Sequence, residues 1–195
     1  MTRFTNSLAL ASFAALLSAC SNTVSPGTTA DRDFLHARAQ AALNDFRAKK
    51  PTLTQLITNA HAYVIFPNVV GGAAGIGGAH GEGEVYEKGR FVGYADVSQL
   101  TIGAQLGGQR FAQLILFENE ISYVNFTHGE LEMDARYSAV LTDTGTADTA
   151  NYSRGVLVFT QTESGIMAQA AIGGQKFRFT PAQPTPQMAS ASPSR

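Results

Sequence analysis

The chain has 195 residues, 44 % of them hydrophobic, with 14 Lys plus Arg against 15 Asp plus Glu and a formal net charge of -1. That balance excludes the strongly basic surface a nucleic-acid partner needs, and the length suits one domain with a sizeable core. With a single cysteine there is no intrachain disulfide, so packing alone must hold the fold.

Residues Met1 to Ala19 read as a secretory signal. Arg3 gives the positive start, Leu8 to Leu17 the short apolar core, and Leu17-Ser18-Ala19 the small-residue cleavage site. The apolar run is short of the roughly 20 residues of a lasting membrane span. Cys20, the sole thiol, follows at once and completes a lipobox. The expected product is a lipoprotein acylated at Cys20, with Ser21 in place of an Asp favouring the outer membrane and a periplasmic or surface-facing domain. Residues 20–30 are rich in Ser, Thr, Pro and Gly and read as a flexible lipidated tether.

Residues 31–180 form the expected domain. Asp31 to Lys50 is expected to be helical, because Leu35, Ala39, Ala42, Leu43 and Phe46 recur at spacings of three and four. Asp31 and Asp33 lie in the first turn and Arg47, Lys49 and Lys50 at its end, as the helix dipole favours. Pro51 stops it, and Thr52 to Ala62 is expected to form a second helix. From Tyr63 the chain turns to glycine-rich alternation. Leu100, Ile102, Ala104 and Leu106 form one alternating run, Leu131 to Tyr137 a second, Ile166 to Ile172 a third, and Phe177 with Phe179 a fourth. Period two with one polar face marks antiparallel strands. Phe111 to Phe117 and Gly155 to Phe159 are uniformly apolar and fit central strands. Ile121 and Val124 suggest one short helix between strands. Thr142 to Ala150 reads as a loop, and residues 181–195 as a disordered tail.

The fold class expected is α+β: N-terminal helices packed on a bent or barrel-like antiparallel β-sheet, in a single domain, with about eight to ten strands.

The tripeptides Ile76-Gly77-Gly78, Leu106-Gly107-Gly108 and Ile172-Gly173-Gly174 repeat, and Ala104 to Phe111 nearly matches Ala170 to Phe177. Glycine pairs between strands read as tight hairpin turns. A sharper reading brings Arg110 and Lys176 together as an anion-binding rim. Gly75 to Gly81 fails the dinucleotide fingerprint, because His80 stands where its third Gly or Ala belongs. His80 with Glu82 and Glu84 is the nearest approach to a metal set, and an exposed strand explains those residues better. Neither a metal nor any other cofactor is expected. Ser153 lacks an evident base, and no catalytic residue is expected.

The basic residues Arg47, Lys49, Lys50, Lys88, Arg90, Arg110, Lys176 and Arg178 are the candidate lipid-binding set. Singly, each is a solvated surface charge. Gathered on one face, they would hold lipid phosphates at about 1 kcal/mol per residue.

Ala62-Tyr-Val-Ile-Phe-Pro-Asn-Val-Val70 and Gly75-Ile-Gly-Gly-Ala-His-Gly-Glu-Gly83 resemble the opening of the SYLF domain. Val92-Gly-Tyr94, Ile102 to Gln109, Leu114 to Asn119 and Tyr152-Ser-Arg-Gly155 with Gly165-Ile-Met continue the resemblance in order. Bacterial proteins of this family are often lipoproteins. Eukaryotic ones bind phosphoinositides, partly through a basic amphipathic N-terminal helix, and some bind actin. The resemblance implies a non-enzymatic lipid-binding module whose partner is membrane lipid: a covalent acyl anchor plus anionic phospholipid, without nucleic acid. The alternative is a structural or protein-interaction lipoprotein with an envelope protein partner.

Overall fold

The computed structural model describes residues 26–133, 152–162, 165–168 and 174–183. Cys20, the signal, the 142–150 loop and the tail beyond residue 183 lie outside them.

Helix α1 spans Thr29–Lys49. Thr28 caps it: its hydroxyl accepts from the Asp31 amide at 3.1 Å, and the Asp31 carboxylate accepts from the Thr28 amide at 3.1 Å. This reciprocal cap starts the helix two residues before Asp31. Leu35, Ala39, Leu43 and Phe46 are its buried stripe. Helix α2, Thr52–Asn59, buries Leu53, Leu56 and Ile57. It ends earlier than the sequence suggests because Ala62 already opens a strand.

Two very long strands dominate the sheet, β1 (Ala62–Glu87, 26 residues) and β2 (Arg90–Phe117, 28 residues). They pair antiparallel along their lengths around a two-residue turn, Lys88-Gly89, with φ of 48° and 75°. Positive φ at both positions gives a turn whose twist matches the strands, so Gly89 is at home there. The expected turns at Gly77-Gly78 and Gly107-Gly108 are not turns. Gly77 and Gly78 pair with Thr101 and Leu100, and Gly107 and Gly108 with Ala73 and Gly72. Glycine accommodates extended backbone as readily as a turn, and the Lys88-Gly89 turn joins the two strands that hold them. Residues read as several short strands therefore merge into two.

The remaining elements are α3 (Glu120–Thr127), β3 (Glu132–Met133), β4 (Val156–Thr162), β5 (Gly165–Ala168) and β6 (Gln175–Pro181). Among the described residues the sheet has six strands, ordered β3-β6-β2-β4-β5, with β1 on the other edge of β2. One edge of β2 serves two partners: Gly93 to Gln99 pairs with β6, and Ala112 to Phe117 with β4. The sheet is bent but does not close into a barrel. The bend folds β1 back upon itself. A Cβ on Gly83 would lie 2.5 Å from the Ile65 carbonyl oxygen, and one on Gly81 would lie 2.9 Å from that of Asn68.

Both faces of the sheet are covered. On one, α1 and α2 pack Leu43, Phe46 and Leu53 against Ile65, Leu114, Leu116 and Phe159. On the other, Phe126 of α3 joins Phe66, Ile115, Phe117 and Phe177. Successive residues Leu114 to Phe117 supply the two cores alternately, which is why that segment is apolar throughout. Helix α3 forms where expected but buries Tyr123 and Phe126, leaving Ile121 74 % exposed. Leu100, expected on an apolar face, is 62 % exposed. No described helix is long and apolar enough to cross a membrane.

Candidate functional site

The β1–β2 ribbon carries its polar side chains toward α1. Along β1, alternation puts His80, Glu82, Glu84 and Tyr86 on one face. Glu84 was expected on an exposed strand and is instead 2 % exposed. The Tyr86 phenol donates to its carboxylate at 2.6 Å, and His36 Nδ1 of α1 lies 3.2 Å from both of its oxygens. Gln40 of α1 donates to the Tyr86 oxygen at 2.8 Å. Tyr86 stacks on Tyr63 with ring centroids 4.8 Å apart. A carboxylate can be buried when its lone pairs are filled this way. Burial, and then the Glu84 carboxylate, hold the Tyr86 pKa well above the ordinary tyrosine value.

Toward the start of α1 the helix lifts from the sheet over a pocket of about 540 Å³. Phe34, Leu35 and Arg38 of α1 line it from one side and Val70, His80 and Glu82 of β1 from the other. Pro26 and Gly27, which lead back toward Cys20, complete its rim. Phe34 is 63 % exposed, and the Arg38 guanidinium lies 5.4 Å from its ring centroid. This is an apolar ring with a cation stacked on it.

Across the ribbon, Asp96 of β2 sits opposite Glu82. Its carboxylate, the Glu82 carboxylate and a His80 ring nitrogen lie within 4.8 Å of one another. Asp96 is buried, and that burial raises its pKa above the usual carboxylate value. Glu82 adds to the rise, while His80 and Arg178 oppose it. Glu84 does not belong to this group, since its carboxylate is held by Tyr86 and His36.

The predicted basic residues fall on separate elements. Arg47, Lys49 and Lys50 share the end of α1, where Lys49 pairs with Asp45 at 2.9 Å. The bond from Lys49, and then one from Gln161, hold Asp45 below its usual pKa. Lys88 and Arg90 are at the hairpin tip, with Glu87 opposite Arg90. Arg110 lies opposite Val70, while Lys176 and Arg178 lie on β6 opposite Ser98 and Asp96. Ser98 and Arg110 belong to opposite halves of β2, and the bend of that strand brings Gln99 and Gln113 both into hydrogen-bond contact with Gln175, the neighbour of Lys176. The apolar stripe of α1 is buried against the sheet, so it is not free to insert into a membrane beside Lys49 and Lys50.

Sequence reasoning missed Phe34, His36, Arg38, Gln40, Tyr86 and Asp96. Counting outward from the turn pairs Glu82 with Ala95. A register shift between Val85 and Tyr86 moves the partner to Asp96 and puts the two carboxylates on one face.

A comparison with protein-family models gave no match, and a comparison with curated proteins gave none either.

Proposed function

We propose that the chain is a lipid-anchored envelope protein, acylated at Cys20 and sorted to the outer membrane, whose domain binds membrane lipid without catalysis. The observation that carries this reading is the Phe34–Arg38 pair beside the pocket. It stands at the end of the domain where Pro26 and Gly27 lead back to the anchor. An exposed aromatic ring suits the headgroup boundary, and a guanidinium beside it suits a lipid phosphate. The ordered resemblance to SYLF domains, whose eukaryotic forms bind phosphoinositides, supports the same reading.

The test is co-sedimentation of the unacylated chain from Ser21 onward with vesicles of neutral or anionic phospholipid. Binding to anionic vesicles that weakens with salt is expected, because exposed charges are screened over about 10 Å at 0.1 M. Absence of binding to either vesicle would sink the lipid reading. It would favour a protein partner, for which the exposed Ile121 and Val124 of α3 are the natural contact. The anchor is tested separately: acyl labelling should be lost in Cys20→Ser, and normal labelling of that variant would remove Cys20 as the anchor.

A further inference from the structure

Two observations meet at His80, Glu82 and Asp96. The first is geometric. An imidazole nitrogen and two carboxylates, from adjacent strands, converge to within 4.8 Å of one another. Around a tetrahedral cation with bonds near 2.0–2.1 Å the ligand atoms stand about 3.3 Å apart. His80 and Glu82 are exposed, so their side chains are free to close the remaining ångström or so.

The second observation concerns Asp96 itself. It is 8 % exposed, and its carboxylate faces the Glu82 carboxylate and a His80 ring nitrogen across the ribbon. Glu84, also buried on the same face, has Tyr86 and His36 as partners. A buried carboxylate facing a second carboxylate is costly unless a cation or a proton offsets the charge. Arg178, opposite Asp96 on β6, offsets part of it.

We infer that His80, Glu82 and Asp96 form a binding site for a divalent transition-metal cation, held across the β1–β2 ribbon. Imidazole with two carboxylates suits Zn²⁺ or a neighbouring first-row ion better than Mg²⁺ or Ca²⁺, which prefer oxygen-only sets. Three protein ligands leave a coordination position open, and the adjoining pocket, lined by His80 and Glu82, gives water or a ligand access to it. The site is independent of the lipid reading, since it needs neither Phe34 nor Arg38.

The test uses the full chain in detergent, carrying Cys20→Ser so that no thiol competes, with Zn²⁺ as the titrant and Co²⁺ as the optical probe. One equivalent of Zn²⁺ should bind saturably, and Co²⁺ should develop visible d–d absorption. Asp96→Asn and His80→Ala should each weaken Zn²⁺ binding at least about tenfold and abolish the Co²⁺ signal, while Glu84→Gln should preserve both. His80 is exposed, so His80→Ala decides the matter even if Asp96→Asn perturbs folding. Unchanged binding in His80→Ala, or no saturable binding by the parent chain, would overturn the site.

Discussion

The Tyr86 phenol donates a 2.6 Å hydrogen bond to the Glu84 carboxylate, two residues away on the same face of β1. The pair lies beneath α1, with His36 on the acid and Gln40 on the phenol. It fixes where the helix sits along the strand. An apolar stripe alone allows sliding, whereas two side chains from α1 meeting one buried acid–phenol pair do so in only one register.

Tyr86→Phe should therefore destabilise the domain by about 1.5–3 kcal/mol, the usual worth of a hydrogen bond to a charged group. Gln40→Ala should cost about 1 kcal/mol, because it removes a neutral bond. Urea denaturation monitored by circular dichroism measures both, and equal losses would contradict this ordering. The alkaline side gives a second readout. The folded-state pKa of Tyr86 is raised above its ordinary value of 10.0. The unfolded chain then releases that proton first, so stability present below about pH 10 is lost as pH rises further. Tyr86→Phe should reduce the slope of that loss.

Gly83 should be the least replaceable glycine among the described residues of β1. A methyl there would meet the Ile65 carbonyl oxygen at 2.5 Å and the Phe66 ring at 2.7 Å. Gly78, whose added Cβ would find only the Gln99 oxygen at 3.6 Å, should accept alanine readily. Gly83→Ala should lower stability by about 1–3 kcal/mol or more, as overpacking does, against well under 1 kcal/mol for Gly78→Ala. Thermal melts of the two variants compare them directly. A mild Gly83→Ala would mean that β1 does not fold back upon itself as tightly as described.

Most of the elements were legible from local pattern. The Leu35-Ala39-Leu43-Phe46 stripe, the apolar run from Phe111 to Phe117 and the Lys88-Gly89 turn each carry their own signal. What was not legible depends on register over long distances. Gly77-Gly78 reads as a turn because glycine is silent between turn and extended backbone. Only the pairing of β1 with β2 across their whole lengths shows that it is strand. Asp96 was invisible as a companion of His80 and Glu82 because one extra residue on β2 near Val92 reverses the face on which it falls. Glu84 reads as a solvated acid until α1 is laid over it. The functional side chains of α1 also sit beside its apolar stripe, where charge patterning offers no cue.

Asp96→Asn should stabilise the domain at neutral pH in the absence of metal. The Asp96 pKa is raised above 3.8, chiefly by burial. The folded state thus holds this proton more tightly than the unfolded one. The contribution is fully favourable below the unfolded pKa and is lost as pH rises through the folded value. At pH 7 the ionised Asp96 opposes folding, and the amide removes that opposition. The gain should shrink toward zero as pH falls below about 4. Melting temperatures of the two proteins in chelator across that range test the sign. A variant less stable than the parent at pH 7 would show that the carboxylate is compensated.

The end of the domain proposed to bind lipid can be separated from the other basic groups by charge reversal. Phe34→Ala with Arg38→Glu removes the exposed ring and its stacked cation. Lys49→Glu with Lys50→Glu alters the far end of α1, where the apolar stripe is already buried and Asp45 already neutralises Lys49. Arg110→Glu with Lys176→Glu alters one residue of β2 and one of β6. The chain should begin at Ser21, because Pro26 and Gly27 form part of the pocket rim. The first pair should lower partitioning onto anionic vesicles at least roughly fivefold, since one basic residue near such a surface is worth about 1 kcal/mol and the ring adds apolar contact. The other two pairs should each have a smaller effect, through net charge alone, and that effect should vanish at high salt. If Lys49→Glu with Lys50→Glu is instead the most damaging, α1 must leave the sheet to insert its stripe. The buried Phe46 would then become accessible in the membrane-bound state, a change that hydrogen exchange along α1 would detect.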